Sequence, residues 1–303
     1  MGDNRAHLMG GFATPSGSQT PVPNMSLNMD YYLNEGLEGV ERQQYRDART
    51  FTRAIQGQAD ELRSGNLSAG QYAIFAPVTQ DQLTNLERIR DACHKSLRFL
   101  YLNEAETLIV KIMPGLAHEL ATREFADTVK EKIRVMGLRR EVGDAGGTTY
   151  RTAQSAKEAD SALKPDARSL EMDWPTVVYE CGVSESLRRL RIDSSWWLAN
   201  SSHDVKIVLL ISVNKPQQRI HLEQWEDRTI PNPYITRNNP NPLITRPMKI
   251  NEINIYGNTV TGAPLRLDFR KVFLRPPAPG EGDILLIAQD LQDYAKDVWR
   301  RLQ

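Results

Sequence analysis

The sequence predicts an α/β protein built on a strand–helix–strand unit, with extra helices ahead of that core and one more helix at the end. Residues 176–181 and 205–213 are nearly continuous apolar runs, the pattern of strands covered on both faces. A helical pattern over 184–199 joins them, so the unit reads as a parallel, right-handed crossover. Upstream, the runs 97–102 and 107–113 flank the polar Asn103-Glu104-Ala105-Glu106 and read as a hairpin ended by Pro114-Gly115.

The remaining elements follow in order. Residues 1–30 are rich in Gly, Pro, Ser, Asn and Thr, and with so little apolar surface to bury they are expected to form a disordered arm. Tyr45, Ala48, Thr52, Ile55, Ala59 and Leu62 keep helical spacing up to Gly65, which predicts an amphipathic helix over 37–62. With a second helix over 80–95, residues 31–96 become a helical N-terminal extension. Leu116, Leu120, Phe125, Val129, Ile133 and Met136 predict a helix over 116–136 that bears His118 and Glu119 and stops at Gly137. Short strands near 148–152 and 157–163 lead through a polar loop to the crossover, whose helix has Ser184 or Ser186 as N-cap.

After the core of 97–226, residues 227–303 complete the same domain. A strand over 219–225 precedes a Pro/Asn-rich stretch in which 232–237 (NPYITR) is nearly copied by 241–246 (NPLITR), a duplicated loop rather than a solenoid. Strands near 249–256 and 265–274 bracket the Gly257-Asn258 turn. Ile284, Ile287, Leu291, Tyr294, Val298 and Leu302 predict a final amphipathic helix.

Composition narrows the function classes. The 303 residues hold 38 Lys+Arg and 38 Asp+Glu, so no global field draws the chain to nucleic acid or anionic lipid, and such binding needs a local patch. Cys93 and Cys181 lie outside any C-x-x-C spacing, which excludes a disulfide framework or zinc knuckle and fits a cytoplasmic or nuclear setting. The longest apolar run, 207–213, is too short to span a bilayer, and no secretory leader is recognisable, so no membrane role is expected.

Glu180 is the residue that demands a reason. It stands inside Val177-Val178-Tyr179-Glu180-Cys181, where a carboxylate costs several kcal/mol unless paired, protonated or bound to a cation. The parallel crossover puts it toward the carboxyl end of its strand, where open α/β sheets place ligands. Asp160, on the preceding strand, can reach the same point, with Asp166 as a competitor. Two such carboxylates suit a hard ion such as Mg²⁺ and phosphodiester cleavage. The plain alternative is a buried ion pair between Glu180 and Arg188, Arg191 or Lys206.

Lys157-Glu158-Ala159-Asp160 followed by Trp174-Pro175-Thr176-Val177-Val178-Tyr179-Glu180-Cys181-Gly182 resembles the PD-(D/E)xK, restriction-endonuclease-like nuclease superfamily and, more narrowly, fungal proteins of that fold. The likeness covers roughly residues 97–226. It implies a three-layer core with a four-stranded mixed sheet, a Mg²⁺ (or Mn²⁺) ion held by Asp160, Glu180 and the Cys181 carbonyl, and Glu119 as an extra acid. Ala159 replaces the motif's proline. Gly182 stands where the motif's lysine belongs, so another cation must supply transition-state charge. Arg191 is favoured, with Arg188, Lys157 and Lys206 as the other candidates.

The other chemical side chains have bland readings. His118 is one of five histidines without metal-ligand spacing. Trp196-Trp197 can stack on bases, but core packing explains them more simply. Cys181 reads as a small buried hydrophobe. Arg188, Arg189 and Arg191 either grip phosphates or pair with Glu185 and Asp193, and Arg134, Arg139 and Arg140 meet a helix C-terminus.

The sequence therefore predicts a divalent-metal-dependent nuclease with a diverged site acting on DNA or RNA. The rival is a catalytically inactive nuclease-fold protein that binds nucleic acid, or binds protein partners through its terminal amphipathic helices. Oligomeric state is open.

Overall fold

The computed structural model describes residues 29–66, 70–93, 96–113, 115–183, 187–233, 235–237 and 240–302. All but the last two residues of the arm expected over 1–30, and the caps expected at Ser184 or Ser186, lie outside the described residues. The described chain opens with α1 (Met29–Asn34), β1 (Arg42–Gln43), α2 (Ala48–Arg63), β2 (Tyr72–Phe75) and α3 (Gln80–Cys93). Next come the hairpin β3 (Leu97–Leu102) and β4 (Thr107–Ile112), α4 (Leu116–Val135), β5 (Val142–Asp144), β6 (Thr149–Arg151), β7 (Ser155–Glu158) and β8 (Ser161–Pro165). The crossover is β9 (Val177–Val183), α5 (Leu187–Asn200) and β10 (Ile207–Asn214). After it come β11 (Arg219–Pro231), β12 (Leu243–Tyr256), β13 (Thr259–Thr261), β14 (Leu265–Leu267), α6 (Phe269–Phe273), β15 (Ile284–Leu286) and α7 (Ala288–Arg301).

The fold is mixed α/β, but the single four-stranded sheet implied by the resemblance is replaced by two larger ones. One runs β1-β2-β4-β3-β7-β6 and the other β13-β12-β11-β10-β9-β8-β5, with β14 and β15 pairing apart from both. β9 and β10 are parallel, as the crossover requires, while β8 and β11 run antiparallel on either side of them. The N-terminal extension is not purely helical, because β2 pairs with β4 and widens the first sheet.

Helix α5 lies between the two sheets. Leu190, Ile192, Trp196 and Trp197 pack with Val178, Val208 and Leu210 of one sheet and with Ile74, Leu100 and Ile109 of the other. A helix apolar on nearly all sides is what a position between two sheets demands. On the far face of the second sheet, Phe125 and Val129 of α4 and Leu291 and Tyr294 of α7 cover Tyr179, Leu209 and Ile211. On the far face of the first, Phe51 and Ile55 of α2 and Leu83 and Leu86 of α3 cover Phe75, Phe99 and Val110. Trp196 and Trp197 are fully buried, so packing is their role. Among the described residues no helix is long and apolar enough to cross a membrane.

Several boundaries differ from the sequence reading, each for a local reason. Helix α2 starts at Ala48, not near 37, because the Asp47 carboxylate accepts from the Thr50 N–H at 2.7 Å and caps it there. The strand expected over 265–274 is β14 followed by α6, since Asp268 accepts from the Arg270 and Lys271 N–H groups and turns the chain into a helix. Ile284 belongs not to the last helix but to β15, where buried Ile284 and Leu286 flank exposed Leu285 with a strand's period of two. The expected strand over 157–163 is two strands, one in each sheet, broken at Ala159-Asp160.

One glycine is required by close approach. Gly262 has φ of +86°, and a Cβ there would sit 1.9 Å from the Glu252 carbonyl oxygen. Gly262→Ala is expected to cost at least about 1–3 kcal/mol, read as a lower urea midpoint with unchanged slope.

Candidate active site

The break between β7 and β8 positions Asp160. β8 and β9 pair with Ser161 opposite Tyr179, and continuing that register by one residue sets Asp160 opposite Glu180. The two carboxylates converge on one cation. The Lys111 ammonium is 2.9 Å from Asp160 Oδ2 and 3.5 Å from Glu180 Oε2. Asp160 Oδ2 also accepts from the Cys181 N–H at 2.7 Å and from His118 Nε2 at 3.1 Å. His118 Nε2 lies 3.0 Å from the Cys181 carbonyl oxygen as well. Both its partners are acceptors, so Nε2 carries the ring proton and donates to both.

Glu180 is 1 % exposed. Its Oε1 accepts from Trp197 Nε1 at 2.6 Å and lies 3.4 Å from the Lys157 ammonium. Lys157 in turn bonds Asp193 Oδ1 at 2.8 Å, and Arg189 approaches the same oxygen at 3.7 Å. Three acids and three cations thus share one interior between the sheets. Strand alternation explains how the lysines arrive there: Ile109 faces the space between the sheets, so Lys111, two residues on, faces it too. Ser155 meets Trp196 Nε1 on that side, and Lys157 follows by the same period.

Burial sets the charge states. Removal from water pushes the Glu180 carboxyl up to about 7, with Asp160 adding to the rise and Lys157 and Lys111 opposing it. Burial acts on Asp160 in the same sense, but Lys111, His118 and Arg98 outweigh it and hold Asp160 well below the usual carboxylate range. Asp193 is likewise lowered against burial by Lys157 and Arg189.

Asp160, its side chain buried, borders a cleft of about 760 Å³ lined also by Arg98, His118, Glu119, Arg123, Asp127, Lys130 and Asp144. Its Oδ1 is buried and accepts no hydrogen bond among the described residues, with Arg98 Nε 4.0 Å away. Two carboxylates are the ligand type that a hard divalent ion takes, but here a lysine already bonds both. The Lys111 ammonium stands where the charges of that pair meet.

The structure brings Asp160, Glu180 and Cys181 together and keeps two other expected residues apart from them. Glu119 is at the cleft rim with its side chain 71 % exposed, 3.9 Å from Arg123. Arg191 points away to β11, where its guanidinium bonds Glu223 at 2.5 and 3.0 Å. Arg188 pairs with Glu35 and Glu38, and Lys206 bonds the His203 carbonyl oxygen at 2.6 Å. Of the named substitute cations only Lys157 reaches Glu180. The sequence reading does not single out Lys111, although a lysine inside the apolar Thr107–Ile112 is a signal for it.

One more cluster has metal-ligand types: His221, Glu223 and Glu252 hold ligand atoms within 4.8 Å of one another. The cations Arg191 and Lys249 and the neutral Trp225 Nε1–H already bond Glu223, so its charge is compensated without an ion.

No family model matches the chain, and no curated protein is significantly similar to it. Among solved structures, similarity is found to a crystal structure described as "a putative nuclease belonging to DUF820" from Anabaena variabilis, at 12% identity with a TM-score of 0.36, covering 65% of this chain and 90% of that one.

Proposed function

We propose that this chain is a divalent-metal-dependent, nuclease-type phosphodiester hydrolase with a diverged site, in which Asp160 and Glu180 form the acidic pair and Lys111 supplies the charge that Gly182 cannot. The observation that supports this is the convergence of both buried carboxylates on the Lys111 ammonium, beside a cleft that Asp160 borders. An Mg²⁺ or Mn²⁺ ion held by Asp160 and Glu180 would neutralise phosphate charge and acidify a water. The Lys111 ammonium stabilises negative charge on the phosphate being cleaved. His118 holds Asp160 and the Cys181 carbonyl in place through one proton on Nε2. Arg98, Arg123 and Lys130 are the cleft cations that a nucleic-acid backbone would meet, in a lining that also carries Glu119, Asp127 and Asp144.

One observation favours the rival reading, an inactive nuclease fold that binds nucleic acid or protein: Glu180 is buried with Trp197 and Lys157 on one oxygen. Incubating the full chain with single- and double-stranded DNA and RNA in Mg²⁺ or Mn²⁺ separates the two. Metal-dependent cleavage is expected, falling at least about 100-fold in Asp160→Asn. No cleavage by wild type, or equal rates in both proteins, leaves the inactive reading.

A further inference from the structure

The duplicated stretch that reads as a loop in sequence is the end of a two-stranded arm. β10 follows β11 only from Asn214↔Arg219 to Val208↔Trp225. β11 and β12 remain paired with each other beyond that point, out to Pro231↔Leu243. Among the described residues, the ribbon made by residues 226–231 and 243–248 therefore leaves the sheet with no third strand beside it. With Glu226 buried and Asp227 bonded to His203 at its base, the outer four residues of each strand give it a reach of about 13 Å.

Its charge is one-sided. The chain as a whole is neutral; beyond the base of the arm, where Glu226 and Asp227 pair with Lys271 and His203, residues 228–247 contain Arg228, Arg237 and Arg246 and no Asp or Glu. Arg228 and Arg246 are directly opposite in the register. Like charges in that position repel, a cost that an anion lying across the ribbon would relieve. Arg246 has no ion pair among the described residues, and Arg237 is exposed. Arg228 is 3.4 Å from Glu226, a carboxylate that Lys271 already holds. The tip is tied by its own repeat: Asn232 Nδ2 donates to the Asn241 carbonyl oxygen at 2.9 Å, and the Asn232 N–H to the Pro242 carbonyl oxygen at 2.8 Å.

We infer that this arm binds the backbone of duplex DNA, with the ribbon in the major groove and Arg228, Arg237 and Arg246 on phosphates. A two-stranded ribbon fits the roughly 12 Å groove of B-form DNA, whereas the deep, narrow major groove of A-form RNA excludes it. Since it names the substrate class of the proposed hydrolase, the inference rests on that reading in this respect, but the arm is remote in sequence from the acidic pair and its binding can be measured without metal.

The test is fluorescence anisotropy of the full chain with a labelled duplex of about 20 bp, in EDTA, across roughly 50–200 mM salt. The triple variant Arg228→Gln/Arg237→Gln/Arg246→Gln is expected to bind at least about 10-fold more weakly, with a log–log salt slope shallower by about 2–3. Duplex RNA of the same sequence should bind at least about 10-fold more weakly than DNA to wild type. Wild type and variant agreeing within about twofold, or no wild-type binding at the lowest salt, overturns the inference. Poly-glutamate binding as tightly as the duplex assigns the arm to an acidic protein partner and overturns it too. Arm-dependent DNA binding without cleavage in Mg²⁺ leaves the arm standing and removes only the hydrolase.

Discussion

Lys111→Met is expected to lower folding stability by about 3–5 kcal/mol, because it strips two buried carboxylates of the cation they share. Methionine nearly conserves volume, so packing loss contributes little and the effect reads the charge. The larger share falls on Asp160, whose side chain is shut off from water and which is held ionised by that ammonium. His118 and the Cys181 N–H remain bonded to Asp160 Oδ2, which keeps the loss from growing further. Urea unfolding at neutral pH measures it. A change below about 1 kcal/mol would mean that the ammonium is dispensable to the fold. In the hydrolase reading the same variant loses cleavage. A destabilised protein that still cuts at the wild-type rate, assayed well below its melting temperature, would remove Lys111 from the chemistry.

The second large effect is on pH dependence and follows from Glu180. Its folded pKa, about 7, is above the ordinary carboxylate value. The folded state therefore holds a proton that the unfolded chain has released, and stability falls as pH rises from about 4.5 to about 7. Ionising Glu180 inside the fold costs on the order of 3 kcal/mol. Asp160 and Glu223 act with the opposite sign: both are held low, so their stabilisation is present above the ordinary carboxylate range and lost as pH falls. His221 is raised, and its contribution declines as pH passes upward through its folded value. The slope between pH 5 and 7 is thus assigned by comparison. Glu180→Gln, which keeps an oxygen for Trp197 Nε1, should flatten that slope and be the more stable protein at pH 8. Parallel stability profiles for wild type and variant between pH 5 and 8 would show that Glu180 does not hold the proton.

The acidic pair was legible because it violates the local pattern. A carboxylate in the apolar run 177–181 has no reason to be there without a partner, and antiparallel pairing of the preceding strand brings Asp160 to it. Lys111 breaks the pattern of its own strand just as plainly, yet its partners are 49 and 69 residues away, and only the stacking of the two sheets turns it toward them. Chain order favours Arg191 because it follows Glu180 on the next helix. Its rotation on that helix, fixed by the burial of Leu190 and Ile192, sends it to Glu223 instead.

By itself the sequence determined the local elements: the hairpin over 97–112, the helix after it, the strand–helix–strand crossover, and the fact that Glu180 needs compensation. Those follow from periodicity and from the cost of burying charge, both of which act over a few residues. Tertiary structure alone decided that α5 is enclosed by two sheets, that Lys111 and Lys157 are the compensating cations, and that β11 and β12 outrun their sheet as an arm. These depend on which strands become neighbours and in what register, and that choice is made by the closing of long loops around a shared core, for which no short stretch of chain holds the information.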